Sequence, residues 1–224
     1  MEKKATILWT GGKDSALALY KAKKLGIEIT NLCTFTPKEA KFKTHPVKFM
    51  NLQAKALGIP HYILNIEKPY DISYEEQLNY LIENTGISIT ISGDISEIGG
   101  YPNWITERCR SLNCEPFLPL WHNNRLELLE TLLMNKFDII FSYVKEPWFT
   151  KQWVGKKMNR ATLKELISLN RVKLLDLCGE QGEYHTLVLD MPDFKNKIEI
   201  SNYSVISNKS NHYMDLKEFE LKKK

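Results

Sequence analysis

The sequence predicts an α/β protein, a doubly wound five-stranded parallel sheet followed by a second, smaller α+β domain. Three observations predict it. Short apolar runs alternate with helix-patterned runs from residue 5 to residue 121, and the first apolar run ends in a glycine pair that opens into a helix. Beyond residue 123 the alternation loosens into separated strands and polar helices. The expected domains are 1–122 and 123–224.

The elements follow in order. Residues 5–9 form an apolar run ending in Thr10-Gly11-Gly12, and residues 14–25 then repeat apolar side chains at helical spacing, through Ala16, Leu17, Leu19 and Tyr20, before Gly26. Residues 27–35 read as the second strand, 47–57 as a helix closed by Gly58, and 62–66 as the third strand. A helix over 74–83 precedes a β-branched strand over 87–91 that enters Ser92-Gly93-Asp94, and a helix over 104–112 precedes a fifth strand over 117–121. In the second domain the pattern predicts helices over 125–135 and 163–169 and strands over 139–143 and 186–189. The alternation of Ile198, Ile200 and Val205 suits half-buried strands, and Lys222-Lys223-Lys224 reads as a solvated tail.

Composition excludes several classes. With 43% hydrophobic and 26% charged residues the chain is globular, not disordered. A net charge of +4 suits an anionic ligand but is too small for a nucleic-acid surface, so no nucleic-acid partner is expected. Cys33, Cys109, Cys114 and Cys178 form no C-x-x-C pair, so reduced, buried thiols are expected. No run of about 18 apolar residues and no signal-peptide pattern is present, so a cytoplasmic location without membrane attachment is expected. His45, His61 and His212 read as solitary turn or surface residues.

The sharpest motif is Thr10-Gly11-Gly12-Lys13-Asp14-Ser15 at the end of the first strand. Paired glycines let the backbone approach a polyphosphate, and the helix start offers N–H groups to it. Lys13 can neutralise phosphate charge, Ser15 can donate a hydroxyl hydrogen bond, and Asp14 can cap the helix or hold magnesium. Gly93-Asp94, at the end of the fourth strand, faces the same crevice in an open parallel sheet, which makes Asp94 a second candidate for magnesium or ribose. Thr34 and Thr36 would line the adenine side. A third cluster, Glu180, Glu183, His185 and Thr186, lies on a glycine-containing turn and can bind an amine, a cationic group or ammonium. Trp104, Trp121, Trp148 and Trp153 suit either an aromatic wall or core packing.

The loop matches neither G-x-x-x-x-G-K-[ST] nor G-x-G-x-x-G. It resembles the PP-loop of the N-type ATP pyrophosphatases, S-G-G-x-D-S, with Thr10 in place of Ser. Gly11 to Ser15, Gly93-Asp94, Pro119-Leu120-Trp121-His122, Trp153-Val154-Gly155 and the stretch from Cys178 to Asp190 occur in the order found in the diphthine ammonia ligase family, which this chain resembles. The resemblance implies a Rossmann-like sheet of the HUP type. It also implies ATP and Mg2+ as cofactors, cleavage of ATP to AMP and pyrophosphate, and amide formation from a carboxylate and ammonium. Carried onto this chain, Thr10 to Ser15 with Thr34, Gly93 and Asp94 would hold ATP, with magnesium on Asp14 and Asp94. Glu180, Glu183, His185, Thr186, Trp153 and Gly155 would face the acceptor.

For that acceptor the resemblance offers diphthine on translation elongation factor 2. Members making diphthamide usually read Glu-Gly-Gly-Glu, an aromatic, then Glu-Thr, whereas here Gln181 replaces a glycine and His185 a glutamate. The segment from Tyr101 to Arg108 also lacks their Arg-rich helix start. Both departures resemble the branch linked with cobalamin-related metabolism, where a small-molecule carboxylate is the acceptor. Free ammonium is the expected nitrogen donor, and exposed sheet edges suit a homodimer. A PP-loop enzyme that modifies RNA and a non-catalytic ATP-binding module are the competing readings. The first lacks paired catalytic cysteines and a basic surface, and the second has no need for Lys13-Asp14-Ser15.

Overall fold

The structure, a computed structural model, describes residues 3–37, 44–97, 99–100 and 102–224. Tyr101, the first residue of the helix-start segment compared above, lies outside them. Contacts divide the chain into two compact units. The first is Met1–Thr10, Asp14–Lys41 and Ile59–His122; the second is Gly11–Lys13, Phe42–Gly58 and Asn123–Lys224.

In the first unit β1 (Lys4–Leu8), β2 (Glu28–Pro37), β3 (His61–Ile66), β4 (Ile89–Ile91) and β5 (Glu115–Phe117) form a parallel sheet in the order β3-β2-β1-β4-β5. Parallel neighbours require crossovers, which the helical runs supply. The order reverses at β1, so the chain leaves β1 and β4 side by side at the carboxyl edge, where open α/β sheets bind ligands. Helix α1 (Lys13–Lys24) follows β1. Its small and branched residues Ala16, Leu17, Ala18, Leu19 and Ala22 are buried, and Lys21, Lys23 and Lys24 in its last turn oppose the negative end of the helix dipole.

Helix α3 (Tyr70–Thr85) follows Pro69 and ends at Gly86, which takes φ 67. It begins a turn earlier than the expected 74–83: Tyr70 and Ile72 of its first turn are exposed and lie off the buried stripe of Tyr74, Leu78 and Leu81. Leu78 and Leu81 are fully buried, and the Tyr74 ring stacks on Phe35 at 3.6 Å. The fifth strand lies at Glu115–Phe117, not at 117–121, and residues 119–122 form a turn. Pro116 is tolerated because β5 pairs with β4 alone, while Pro119 can give no ladder N–H.

Helix α2 (Val47–Leu57) lies in the second unit with α5 (Arg125–Met134), α6 (Arg160–Lys173) and a four-stranded antiparallel sheet. That sheet is β6 (Asp138–Lys145), β7 (Tyr184–Asp190), β8 (Asn196–Asn208) and β9 (Asn211–Lys223), in the order β7-β6-β9-β8. Asn124 and Asn159 cap α5 and α6 with side-chain oxygens on their first amides. Phe49 of α2 meets Phe219 of β9 at 5.4 Å, and Phe141, Phe149, Trp153 and Tyr184 form an aromatic core.

The lysine-rich end is not a tail. Lys222 and Lys223 belong to β9, and Lys224 pairs with Asp190 at 2.7 Å. Nor are the histidines solitary. His61 lies 2.8 Å from Thr34 Oγ1, buried His212 meets Ser207 Oγ at 2.8 Å and Glu146 at 3.2 Å, and the His45 ring is edge-on to His185 at 5.5 Å. All four cysteines are free and buried. Among the described residues no helix is long and apolar enough to cross a membrane.

Burial lowers the pKa of His61 from 6.5 to about 4. Folding therefore favours its neutral form, and the stability this provides is present above pH 6.5 and lost as pH falls toward 4. The melting temperature is expected to drop over that window, and His61→Gln should flatten the drop. A His61→Gln profile as steep as the wild type's would show that other groups carry it.

Candidate functional site

The loop from Thr10 to Ser15 passes from the first unit to the second at Gly11 and back at Asp14. On the first unit's side, Thr10 Oγ1 and Ser15 Oγ lie 3.1 Å apart, with Thr10 exposed and Ser15 buried. The half-buried Asp14 begins the helical turn that Gly93 approaches. A Cβ on Gly93 would lie 2.7 Å from the Asp14 carbonyl carbon and 2.8 Å from Ser15 N, so only glycine lets the end of β4 touch the start of α1.

Asp94, also half-buried, accepts a hydrogen bond from Asn103 Nδ2 at 2.6 Å. Asn103 in turn caps helix α4 (Trp104–Cys109) through Thr106 N at 3.0 Å. Asp14 and Asp94 thus issue from backbones in contact. Two carboxylates of this kind suit Mg2+, which takes one or two carboxylates together with phosphate oxygens and water. Thr34 is more committed than the sequence implies. Its hydroxyl donates to Trp9 O at 2.6 Å, which leaves its oxygen to accept from His61 Nε2 at 2.8 Å and assigns the neutral Nε2–H tautomer to His61.

In the second unit, Lys13 N donates to Thr186 Oγ1 at 3.1 Å, and both residues are buried. Lys13 Nζ donates to the carbonyl of Cys178 and lies 5.0 Å from the centre of the Tyr184 ring. Gly11 takes φ 75, and its carbonyl accepts from Val188 N at 3.1 Å and from Gln53 Nε2 at 2.9 Å. Gln53 Nε2 also donates to Val188 O at 2.8 Å, and the residue is fully buried. One side-chain amide therefore fastens the glycine loop to β7. Sequence reasoning missed Gln53. The available signal was a polar residue on the buried stripe of α2, beside Phe49, Met50, Ala54 and Leu57.

The Glu180–Thr186 cluster separates into two kinds of group. Glu183 is 1% exposed, and its two carboxylate oxygens each accept a backbone N–H at 3.0 Å, from Asp176 and Gln181. It closes the turn that presents the Cys178 carbonyl to Lys13. Glu180 is half-buried, while Gln181 and His185 are exposed. The His185 ring lies 4.9 Å from Tyr143 and 5.5 Å from His45. Partial desolvation by these neighbours, then the charges of His45 and Lys13, lower its pKa below the ordinary imidazole value. The ring keeps an exposed face, so the desolvation is incomplete.

Replacing Glu183 with Ala strands two amides that now bond to a charge, and is expected to cost about 3 kcal/mol of folding stability. Urea unfolding of Glu183→Ala and Glu183→Gln checks this, the amide variant retaining one acceptor oxygen and falling between. A Glu183→Ala midpoint equal to the wild type's would show that the carboxylate contributes nothing.

Trp153 and Gly155 are both closely packed. Trp153 is 9% exposed and lies against Phe141 and Phe149 at 5.1 and 4.9 Å. A Cβ on Gly155 would meet the Tyr203 hydroxyl at 2.3 Å. The other tryptophans differ in setting: Trp104 is 45% exposed, Trp121 stacks on His122, and Trp148 donates to Lys173 O. No three His, Cys, Asp or Glu side chains converge on a metal-sized site among the described residues.

Two family models match. One, described as the diphthamide synthase N-terminal domain, covers residues 3–116, and the other, the diphthamide synthase C-terminal domain, covers 124–221. The chain is 26% identical over 231 residues to a diphthine–ammonia ligase of Schizosaccharomyces pombe, covering 94% of this chain and 38% of the relative. It is 25% identical to that of Bos taurus, covering 92% of this chain and 86% of the relative. The chain thus spans well under half of the yeast relative's length and most of the bovine one's. Among solved structures, a protein described as a predicted tRNA methyltransferase subunit of Methanocaldococcus jannaschii superposes with a TM-score of 0.48 at 16% identity, over 84% of this chain and 98% of that one.

Proposed function

The chain belongs to the diphthamide synthase family, and we propose that it is an ATP-dependent amide ligase that adenylates a carboxylate, releases pyrophosphate, and lets ammonium displace AMP. One observation carries the reading. The hydrogen bond from Lys13 N to Thr186 Oγ1 ties the phosphate-type loop, within a single unit, to the start of β7 just after the Gly179–Glu183 turn. A loop that only turned the chain would need no such tie.

The roles follow from chemistry. Gly11 and Gly12 let polyphosphate approach the backbone, and the Lys13 ammonium balances charge that grows on the leaving pyrophosphate. Asp14 and Asp94 are the residues that would hold magnesium, which when bound supplies a Lewis acid to the phosphate oxygens. Glu183, spent on two amides, shapes the acceptor turn instead of binding a substrate cation. His185, kept neutral by its surroundings, has a ring nitrogen able to take the proton that the nitrogen must shed once ammonia has bonded to the acyl carbon and AMP leaves.

The relatives' names make diphthine the first acceptor to test. The neutral imidazole of His185, where diphthamide-making members carry a glutamate, favours a second acceptor class, a small carboxylate without a fixed positive charge. The test is product analysis of α-labelled ATP with magnesium and ammonium, with and without diphthine-bearing elongation factor 2. AMP that depends on the factor supports the first acceptor. AMP that depends on another carboxylate supports the second, and ADP as sole product rejects the mechanism.

A further inference from the structure

Strand β8 ends the second unit's sheet, so one side of its backbone has no strand partner among the described residues. The ribbon it forms with β9 is thin. β6 reaches β9 only at Asn211, His212 and Tyr213, level with Asn208, Ser207 and Ile206 of β8. On the other side of Ile206 the two strands run on as a pair, and a two-stranded ladder is marginal in water until a further strand or a packed layer completes it. Helix α2 supplies such a layer where Phe49 meets Phe219, opposite Ile200. Farther along β8, Tyr203, Val205 and Ile206 remain 41, 39 and 37% exposed.

An open edge is ordinarily guarded by charge, by proline or by a slip in the ladder. From Ile200 to Asn208 this strand has neither a charged residue nor a proline. The ladder does slip between Ile200 and Tyr203, but Tyr203 to Asn208 then pair with Leu216 to Asn211 without interruption. Opposite charges bound the neutral stretch, Glu199 at one end and Lys209 at the other. Glu199 has Lys222 at 4.0 Å, an ammonium held closer by Glu220 at 2.8 Å, and Lys209 has no ion-pair partner among the described residues.

A second, antiparallel copy of this strand satisfies the edge, and charge selects its register. A two-fold axis normal to the sheet sets one residue opposite itself. With Tyr203 on the axis, Lys197 would meet the partner's Lys209. With Val205 there, Glu199 and Lys209 would both face uncharged residues, Asn211 and Ser201. Only Ser204, of these three, brings Glu199 of each copy level with Lys209 of the other and sets Tyr203 opposite Val205 twice. Aromatic and β-branched side chains opposite one another stabilise an antiparallel pair.

We propose that the outer edge of β8 is a self-association surface, on which two copies of the chain pair antiparallel about Ser204 and join their four-stranded sheets into one. The surface goes beyond the proposed reaction and does not depend on it.

Sedimentation of the full chain without ATP or acceptor tests it, so the result stands apart from the labelling assay. The wild type is expected to be a dimer at about 100 µM, as an interface at the small end of the stable range allows. Val205→Lys sets a lysine against each Tyr203 and should leave monomers. Lys209→Glu turns both charge pairs repulsive and should weaken the dimer about tenfold, while Glu199→Lys with Lys209→Glu should restore it. Melting temperatures taken at dilutions where every variant is monomeric separate lost association from lost folding. A wild-type monomer at about 100 µM, or a dimer that persists in both Val205→Lys and Lys209→Glu, overturns the proposal. So does a double variant no tighter than Lys209→Glu alone, because the two charges then do not meet.

Discussion

Replacing Gly93 with Ala is expected to lower ATP turnover by at least about a hundredfold and to destabilise the fold by about 3 kcal/mol, at the upper end for overpacking. The added methyl would stand 2.7, 2.8 and 2.9 Å from the Asp14 carbonyl carbon, Ser15 N and Asp14 O. All three are backbone atoms at the start of α1, so no side chain can swing aside to admit it. Relief has to come from moving β4 away from α1, which shifts the residues placed here at phosphate and magnesium. Gly86→Ala is the control. It takes φ 67 with nothing within 4 Å of the added carbon, so it carries a left-handed backbone penalty of about 1–2 kcal/mol and no clash. Thermal unfolding and labelled-ATP turnover of both variants decide the matter. Activity in Gly93→Ala equal to that in Gly86→Ala would remove the contact from any role in the reaction.

The same contact shows what a sequence can announce. The meeting of Thr10 to Ser15 with Gly93-Asp94 was legible because paired glycines mark a strand-to-helix turn, and because parallel strands deliver their carboxyl ends to one edge. The sheet was legible through its alternation, apart from β5, where Pro116 and Pro119 shift the strand toward Glu115. Glu183 was legible as chemistry but not as role. A carboxylate on a polar turn reads as exposed, and only the fold shows it closing the turn at 1% exposure. Strand β9 escaped notice because charged residues at its end mask an alternation that pairs Ile198 with Leu221 and Ile200 with Phe219. Gln53 escaped because its partners, Gly11 and Val188, lie 42 and 135 residues away. No local pattern records a bond of that span.

Gln53 therefore carries the second large expectation. Its Nε2 donates to the carbonyls of Gly11 and Val188, and its Oε1 occupies the space where a Gly11 side chain would stand, 2.5 Å from that Cβ position. Gln53→Met keeps the shape and removes the donors. The carbonyls retain backbone partners in part, Gly11 O still accepting from Val188 N, so the expected cost is about 2 kcal/mol. The loop then loses a restraint, and KM for ATP should rise more than kcat falls.

Gln53→Glu is the sharper variant, because it sets a carboxyl group against two carbonyl oxygens in a fully buried position. Only the protonated acid can donate there, so its folded pKa must rise above the unfolded value of about 4.3. An acid whose folded pKa is raised binds more protons when folded. Its stability is therefore greatest below the unfolded pKa and falls as pH climbs from there to the folded one. The melting temperature of Gln53→Glu should approach the wild type's near pH 4 and fall well below it by pH 7, while Gln53→Met shows a constant deficit. A Gln53→Glu protein as stable as the wild type at pH 7, with unchanged KM for ATP, would show that the amide does not hold the loop.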